Sequence, residues 1–148
     1  MRRTELPAGL DLGAIVATPE GVLVATRKDG IGTFGTVGTL LLPRRGGTAV
    51  AIPIPEAAGL KPPQLARARD GAIWALATVK ISPERMGPAL YRFVAGGWSP
   101  VTLPAPYRAE RLVVDGAGRV LVLARGEEEG RWLLGETGGA AAAELPAR

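Results

Sequence analysis

Three marks recur in the same order along the chain, and they constrain its fold more than any other feature. A glycine pair stands at Gly46-Gly47, Gly96-Gly97 and Gly138-Gly139. An apolar–proline step follows each pair: Ile52-Pro53, Leu103-Pro104 and Leu145-Pro146. Upstream, an apolar residue precedes a turn glycine by six positions, Ile15 to Gly21, Leu65 to Gly71 and Leu112 to Gly118. Such self-similarity is the signature of stacked supersecondary units, none of which can bury its apolar face alone. It divides the chain into repeat units of about 10–59, 60–106 and 107–148. The N-terminal Thr4-Glu5-Leu6-Pro7-Ala8 echoes Ala143-Glu144-Leu145-Pro146-Ala147, so residues 1–9 read as an extra outer strand.

Each unit reads as four short β-strands. In the second they are predicted at 64–69, 72–80, 89–94 and 98–104, as apolar and β-branched runs bounded by Gly, Pro and Asp. No 3.6-residue periodicity is long enough for a helix. Asp70-Gly71 signals a tight hairpin, and Asp115-Gly116-Ala117-Gly118 and Pro19-Glu20-Gly21 mark the matching turns. The second strand of the unit is apolar on both faces: Ile73, Ala75 and Val79 point one way, Trp74 and Leu76 the other. A strand wet on one side would alternate with polar residues, so this one is expected to be covered on both. Pro53, Pro55, Pro100, Pro104 and Pro106 gather in the fourth strands. Proline donates nothing to a ladder and belongs at an edge, where it blunts aggregation.

Sandwiched inner strands and a proline-blunted outer strand describe a propeller blade. Asp70-Gly71-Ala72-Ile73-Trp74-Ala75-Leu76, Ala89-Leu90-Tyr91-Arg92-Phe93 and Gly96-Gly97-Trp98-Ser99-Pro100-Val101-Thr102-Leu103-Pro104 resemble a blade of the β-propellers in bacterial two-component sensor proteins. Gly21-Val22-Leu23-Val24-Ala25-Thr26 resembles the same blade with leucine in place of the tryptophan, and the third unit also lacks that tryptophan. The resemblance implies an all-β fold of three propeller blades serving as a sensing or interaction platform, and it brings no catalytic residues. A β-trefoil, also three four-stranded repeats, is the alternative fold. It would close as a monomer and imply a carbohydrate-binding, lectin-like module. Propellers have four to eight blades, so three leave an apolar face open at each end. The expected partner is a second copy of this chain or another protein; the remaining option is a fragment of a longer propeller from a sensor or hydrolase.

Composition narrows the chemistry. Among 148 residues there is no cysteine and no histidine, which removes the disulfide framework, the thiolate nucleophile and the commonest general base. Ser82 and Ser99 are the only serines, and neither sits in a nucleophile-elbow sequence. The chain is therefore expected not to be an enzyme and to use no cofactor. Of the aspartates, Asp70 and Asp115 are weak metal candidates, set against the ordinary use of Asp to bond its own turn backbone. Glu127-Glu128-Glu129 reads as a solvated hairpin tip. Gly30-Ile31-Gly32-Thr33-Phe34-Gly35 has the G-x-G-x-x-G form, but no helix signal follows to receive a phosphate.

The net charge of +4 raises nucleic acid as a partner. Arg2, Arg3, Arg44, Arg45, Arg67, Arg69, Arg108 and Arg111, however, are spread over all three units rather than clustered with aromatics. Trp74 is expected in the core, whereas Trp98 and Trp132, near strand starts, are the candidates for a ligand or an interface. A small ligand or a glycan would suit such rings. Two basic residues open the chain without an apolar run behind them, and no stretch approaches the ~20 apolar residues of a membrane span. The sequence therefore reads as soluble, without a signal peptide, and cytoplasmic by default.

Overall fold

The computed structural model describes residues 6–29, 35–103, 107–126, 132–136 and 143–145, and every regular element among them is a strand. Strands β1 (Leu10–Thr18), β2 (Gly21–Lys28), β3 (Gly35–Pro43) and β4 (Val50–Gly59) pair in succession as an antiparallel meander. A second meander follows in β5 (Gln64–Arg67), β6 (Ile73–Ser82), β7 (Arg85–Val94) and β8 (Gly97–Val101). The third is a separate four-stranded sheet of β9 (Arg108–Val114), β10 (Val120–Arg125), β11 (Trp132–Glu136) and β12 (Ala143–Leu145). The all-β expectation holds in these antiparallel sheets.

Turn chemistry explains where the strands reverse. Between β7 and β8, Val94 pairs with Gly97 across a two-residue loop in which Ala95 (φ 51°) and Gly96 (φ 78°) both have positive φ. That is the primed turn, whose twist matches the strands it joins. The Asp70-Gly71 hairpin is wider than the two-residue turn expected. Gly71 N–H donates to the Ala68 carbonyl at 3.0 Å and Ala68 N–H to the Ala72 carbonyl at 2.8 Å. Only the glycine takes positive φ (95°), so this is a turn followed by a glycine bulge. The β9–β10 turn repeats the pattern: Gly118 N–H donates to Asp115 and Asp115 N–H to Arg119, both at 3.0 Å. Strand β7 also starts earlier than predicted, because Ser82 pairs with Arg85 across Pro83 and Glu84 and the hairpin runs on past β8. Pro88 fits there, since β8 pairs β7 only from Leu90 to Val94 and no ladder bond is lost at Pro88.

The meanders pack face to face. Ile73, Ala75, Ala77, Tyr91 and Trp98 of the second meander form one buried cluster with Leu23, Ile52 and Ile54 of the first. The opposite face of the second meander, with Trp74, Leu76 and Leu90, forms another with Ala109, Val120 and Val122 of the third. Strand β6 is thus covered on both sides, as its unbroken apolar run requires. At one end the first two sheets merge. Strand β4 bulges between Pro53 and Ala58 with Glu56 at φ 61°, Ala57 pairs with Val79 of β6, and Tyr91 Oη donates to the Pro55 carbonyl at 2.8 Å. Pro53, Pro55 and Pro100 all lie exposed on β4 and β8, where missing donors cost least. Pro104 and Pro106 fall outside the described residues.

The open apolar end faces are narrower than expected. On the face of the first meander turned away from the second, Val24 and Leu40 are buried, at 3% and 6% exposure. On that face the large aliphatic side chains that stand exposed are Leu12 and Ile15 of edge strand β1, at 49% and 66%. Among the described side chains on the outward face of the third meander, Val113 of edge strand β9, opposite Leu121, is 41% exposed.

Candidate functional site

The second and third meanders are joined at their turns, and a cleft of about 460 Å³ opens beside the join. Arg69 N–H donates to the Gly118 carbonyl at 2.7 Å, and the lone glutamine, Gln64, accepts from Leu112 N–H of edge strand β9 at 3.3 Å. Gly118 has φ 79°, and a Cβ there would sit 2.7 Å from the Arg69 Cβ. Only glycine lets the two turns approach this closely.

The lining of the cleft includes Arg69, Asp70, Trp74, Arg92 and Arg119. Trp74 and Arg92 are direct cross-strand partners on β6 and β7, which places both side chains on one face. The Arg92 guanidinium consequently lies over the indole, 5.6 Å from its centroid. Trp74 is buried as expected at 4% exposure, yet its Nε1 has no acceptor among the described residues. A buried donor left unpaired costs about 1–3 kcal/mol.

Both aspartate candidates serve their turns. Asp70 Oδ1 accepts from Ala72 N–H at 2.9 Å. Asp115 Oδ1 accepts from the N–H groups of Ala117 and Arg119, each at 2.9 Å, and its Oδ2 from Arg119 Nε at 2.8 Å. The bond from Arg119 N–H above all, and then the Arg119 side chain and Ala117 N–H, hold the Asp115 carboxyl below its ordinary value of 3.8. A carboxyl depressed by folding contributes stability that is present above its unfolded pKa and lost as pH falls through the folded value. A carboxyl NMR titration is expected to place the Asp115 midpoint below 3.8; a midpoint at or above that value would show that these bonds do not persist in solution. Among the described residues no group of three or more Asp or Glu is arranged to hold a metal ion.

The structure places the tryptophan candidates differently from one another. Trp98 is 6% exposed inside the cluster between the first two meanders. Its ring packs against Phe93 at 5.0 Å, and its Nε1 donates to Thr39 Oγ1 at 2.9 Å. Thr39 in turn donates to the Ile52 carbonyl at 2.8 Å, so a buried relay joins β8, β3 and β4. Trp98, a ligand or interface candidate for its place near a strand start, is buried here as a packing residue between the two meanders. Trp132 is paired through β11 with Arg125 and Leu145, and its side chain lies outside the described residues. Glu127-Glu128-Glu129 and most of the glycine-rich loop, residues 30–34, also lie outside them.

Sequence reasoning did not find Arg92 and Arg119 as companions of Arg69 and Trp74. The register of β6 on β7 was the available signal, because it alone sets Arg92 opposite Trp74. Arg27, in contrast to the exposed arginines of the cleft, is buried and structural: it donates to the Gly59 carbonyl at 2.8 Å, to Asp29 at 2.6 Å and to Asp11 at 3.2 Å. No protein family matches the chain, and no curated protein is significantly similar to it. No helix among the described residues is long and apolar enough to cross a membrane.

Proposed function

We propose that this chain is a non-catalytic binding or assembly module built from three propeller-type blades and completed by self-association. The observation that carries the reading is the face-to-face stacking: the second meander is covered by the first on one side and by the third on the other. Consecutive hairpins that form four-stranded meanders and stack through their faces suit blades. They suit the barrel and hairpin cap of a trefoil less well. The first strands of the meanders also neighbour one another, β1 beside β5 and β5 beside β9, as innermost strands around an axis would. The equivalent turns at 68–72 and 115–119, each closed by the same two backbone bonds, further support a repeat.

Association is supported by the edge strands. Leu12 and Ile15 on β1 and Val113 on β9 stand exposed on the outward faces of the two end meanders. Apolar side chains along an unpaired edge are where a further blade or a second copy gains most from being covered. The lack of His and Cys, with Asp70 and Asp115 bonding to their own turns, supports binding rather than catalysis. Light scattering coupled to size exclusion is expected to give a multiple of the chain mass. Ile15→Glu is expected to shift that species toward monomer while leaving the β-sheet circular dichroism unchanged. A wild-type monomer at every concentration would sink self-completion.

A further inference from the structure

We propose that the cleft between the second and third meanders binds a small anion through a carboxylate or phosphate group. The proposal deepens the binding-module reading by naming a ligand chemistry, and it rests on two neighbouring meanders rather than on closure of a ring. The lining holds three arginines and one acidic residue: Arg69, Arg92 and Arg119 with Asp70. Asp115 engages Arg119, whereas Arg69 and Arg92 have no carboxylate within ion-pair distance among the described residues. A cation would be repelled from this cleft, and an anion would meet two planar donor forks without an ion-pair partner among the described residues, one of them stacked on Trp74, suited to bidentate oxygen pairs.

The second, independent observation is the unsatisfied Trp74 Nε1. An indole N–H is a donor only, so what it lacks is an acceptor, and an anion oxygen is one. Arg92 stacks on the same indole, so a single oxyanion that draws the guanidinium aside can engage both groups. The Arg69 backbone is tied to Gly118, which holds the two walls of the cleft together before any ligand arrives. About 460 Å³ is the size of a small-molecule site rather than of a groove that tracks a polymer.

The test is a ¹H–¹⁵N NMR titration of the full chain with succinate and, separately, inorganic phosphate, each against sodium chloride at matched ionic strength. The chain has three tryptophans, and loss of one indole peak in Trp74→Phe assigns Trp74. A saturable shift of that peak is expected with at least one of the two anions and not with chloride. The arm that saturates identifies carboxylate or phosphate as the recognised group. Arg69→Ala and Arg92→Ala are each expected to weaken the response roughly tenfold or more. Should Arg92→Ala lose spectral dispersion, Arg69→Ala decides, because Arg69 is exposed and its backbone bond survives the change.

No saturable shift with either anion, a shift matched by chloride, or an unchanged response in the arginine variants would overturn the proposal. So would a response seen only with a single-stranded oligonucleotide added as a third arm. Light scattering on the same samples separates this result from the oligomer reading: a monomer that binds succinate or phosphate keeps the site and loses self-completion, and an oligomer that binds neither does the reverse.

Discussion

Replacing Trp98 by alanine is expected to lower the free energy of unfolding by about 3–5 kcal/mol, the range for deleting a large buried aromatic. The side chain is 6% exposed and fills the space between the first two meanders. Its removal opens a cavity, breaks the ring contact with Phe93 and leaves Thr39 without its indole donor. Urea denaturation followed by near-ultraviolet circular dichroism measures the loss. Thr39→Val tests the polar part: it strands a buried indole N–H, removes the Thr39 bond to the Ile52 carbonyl as well, and is expected to cost about 1–3 kcal/mol with the packing preserved. The two changes are coupled through one hydrogen bond, so the double variant should lose less than the sum of the singles. A loss below about 1 kcal/mol for Trp98→Ala would mean that the first two meanders do not share this core.

Trp74→Ala probes the opposite face of the same sheet, and its expected cost is smaller, about 3 kcal/mol at the low end of the same range. The burial is alike, at 4% exposure, and the cluster is the one shared with Val120 and Val122 of the third meander. The difference lies in the indole nitrogen. Trp98 donates to Thr39, whereas the N–H of Trp74 has no acceptor among the described residues, so its deletion relieves an existing penalty. Trp74→Phe keeps most of the ring and removes only that donor. Its lost volume and relieved penalty oppose one another, and the fold should survive, as the anion titration requires. Equal losses for Trp98→Ala and Trp74→Ala would indicate that the Trp74 nitrogen is satisfied in solution. The pair of measurements therefore reports on both faces of the second meander and on the donor that the proposed anion would use.

Much of the architecture was legible because strands alternate faces with a period of two. Ile73, Ala75 and Val79 against Trp74 and Leu76 required covers on both sides of β6, and the clusters supply them. Exposed prolines on β4 and β8 followed from proline's missing donor. The turns at Gly71 and Gly118 were legible as turns but not as types, because an Asp-Gly step serves a two-residue loop and a glycine bulge equally well. The site was less legible still. Trp98 stands near a strand start and reads as a ligand or interface candidate; it is instead buried in the cluster between the first two meanders, and its N–H finds Thr39, 59 positions away in the chain. Arg92 belongs to the cleft only through the register of β7 on β6, and Arg119 only through the docking of a separate sheet.

The amino-acid order alone determined that this chain is made of strands, which strand must be sandwiched and where the chain must turn. Those properties follow from side-chain alternation, proline's missing donor and glycine's tolerance of positive φ, all of which act within a few residues. Tertiary structure alone decided which tryptophan would find a partner for its N–H and which would not. It also brought Arg69, Arg92 and Arg119 to the one cleft that Trp74 lines. Both outcomes depend on strand register and on the packing of one sheet face against another, and these are set by the summed burial of residues far apart in the chain.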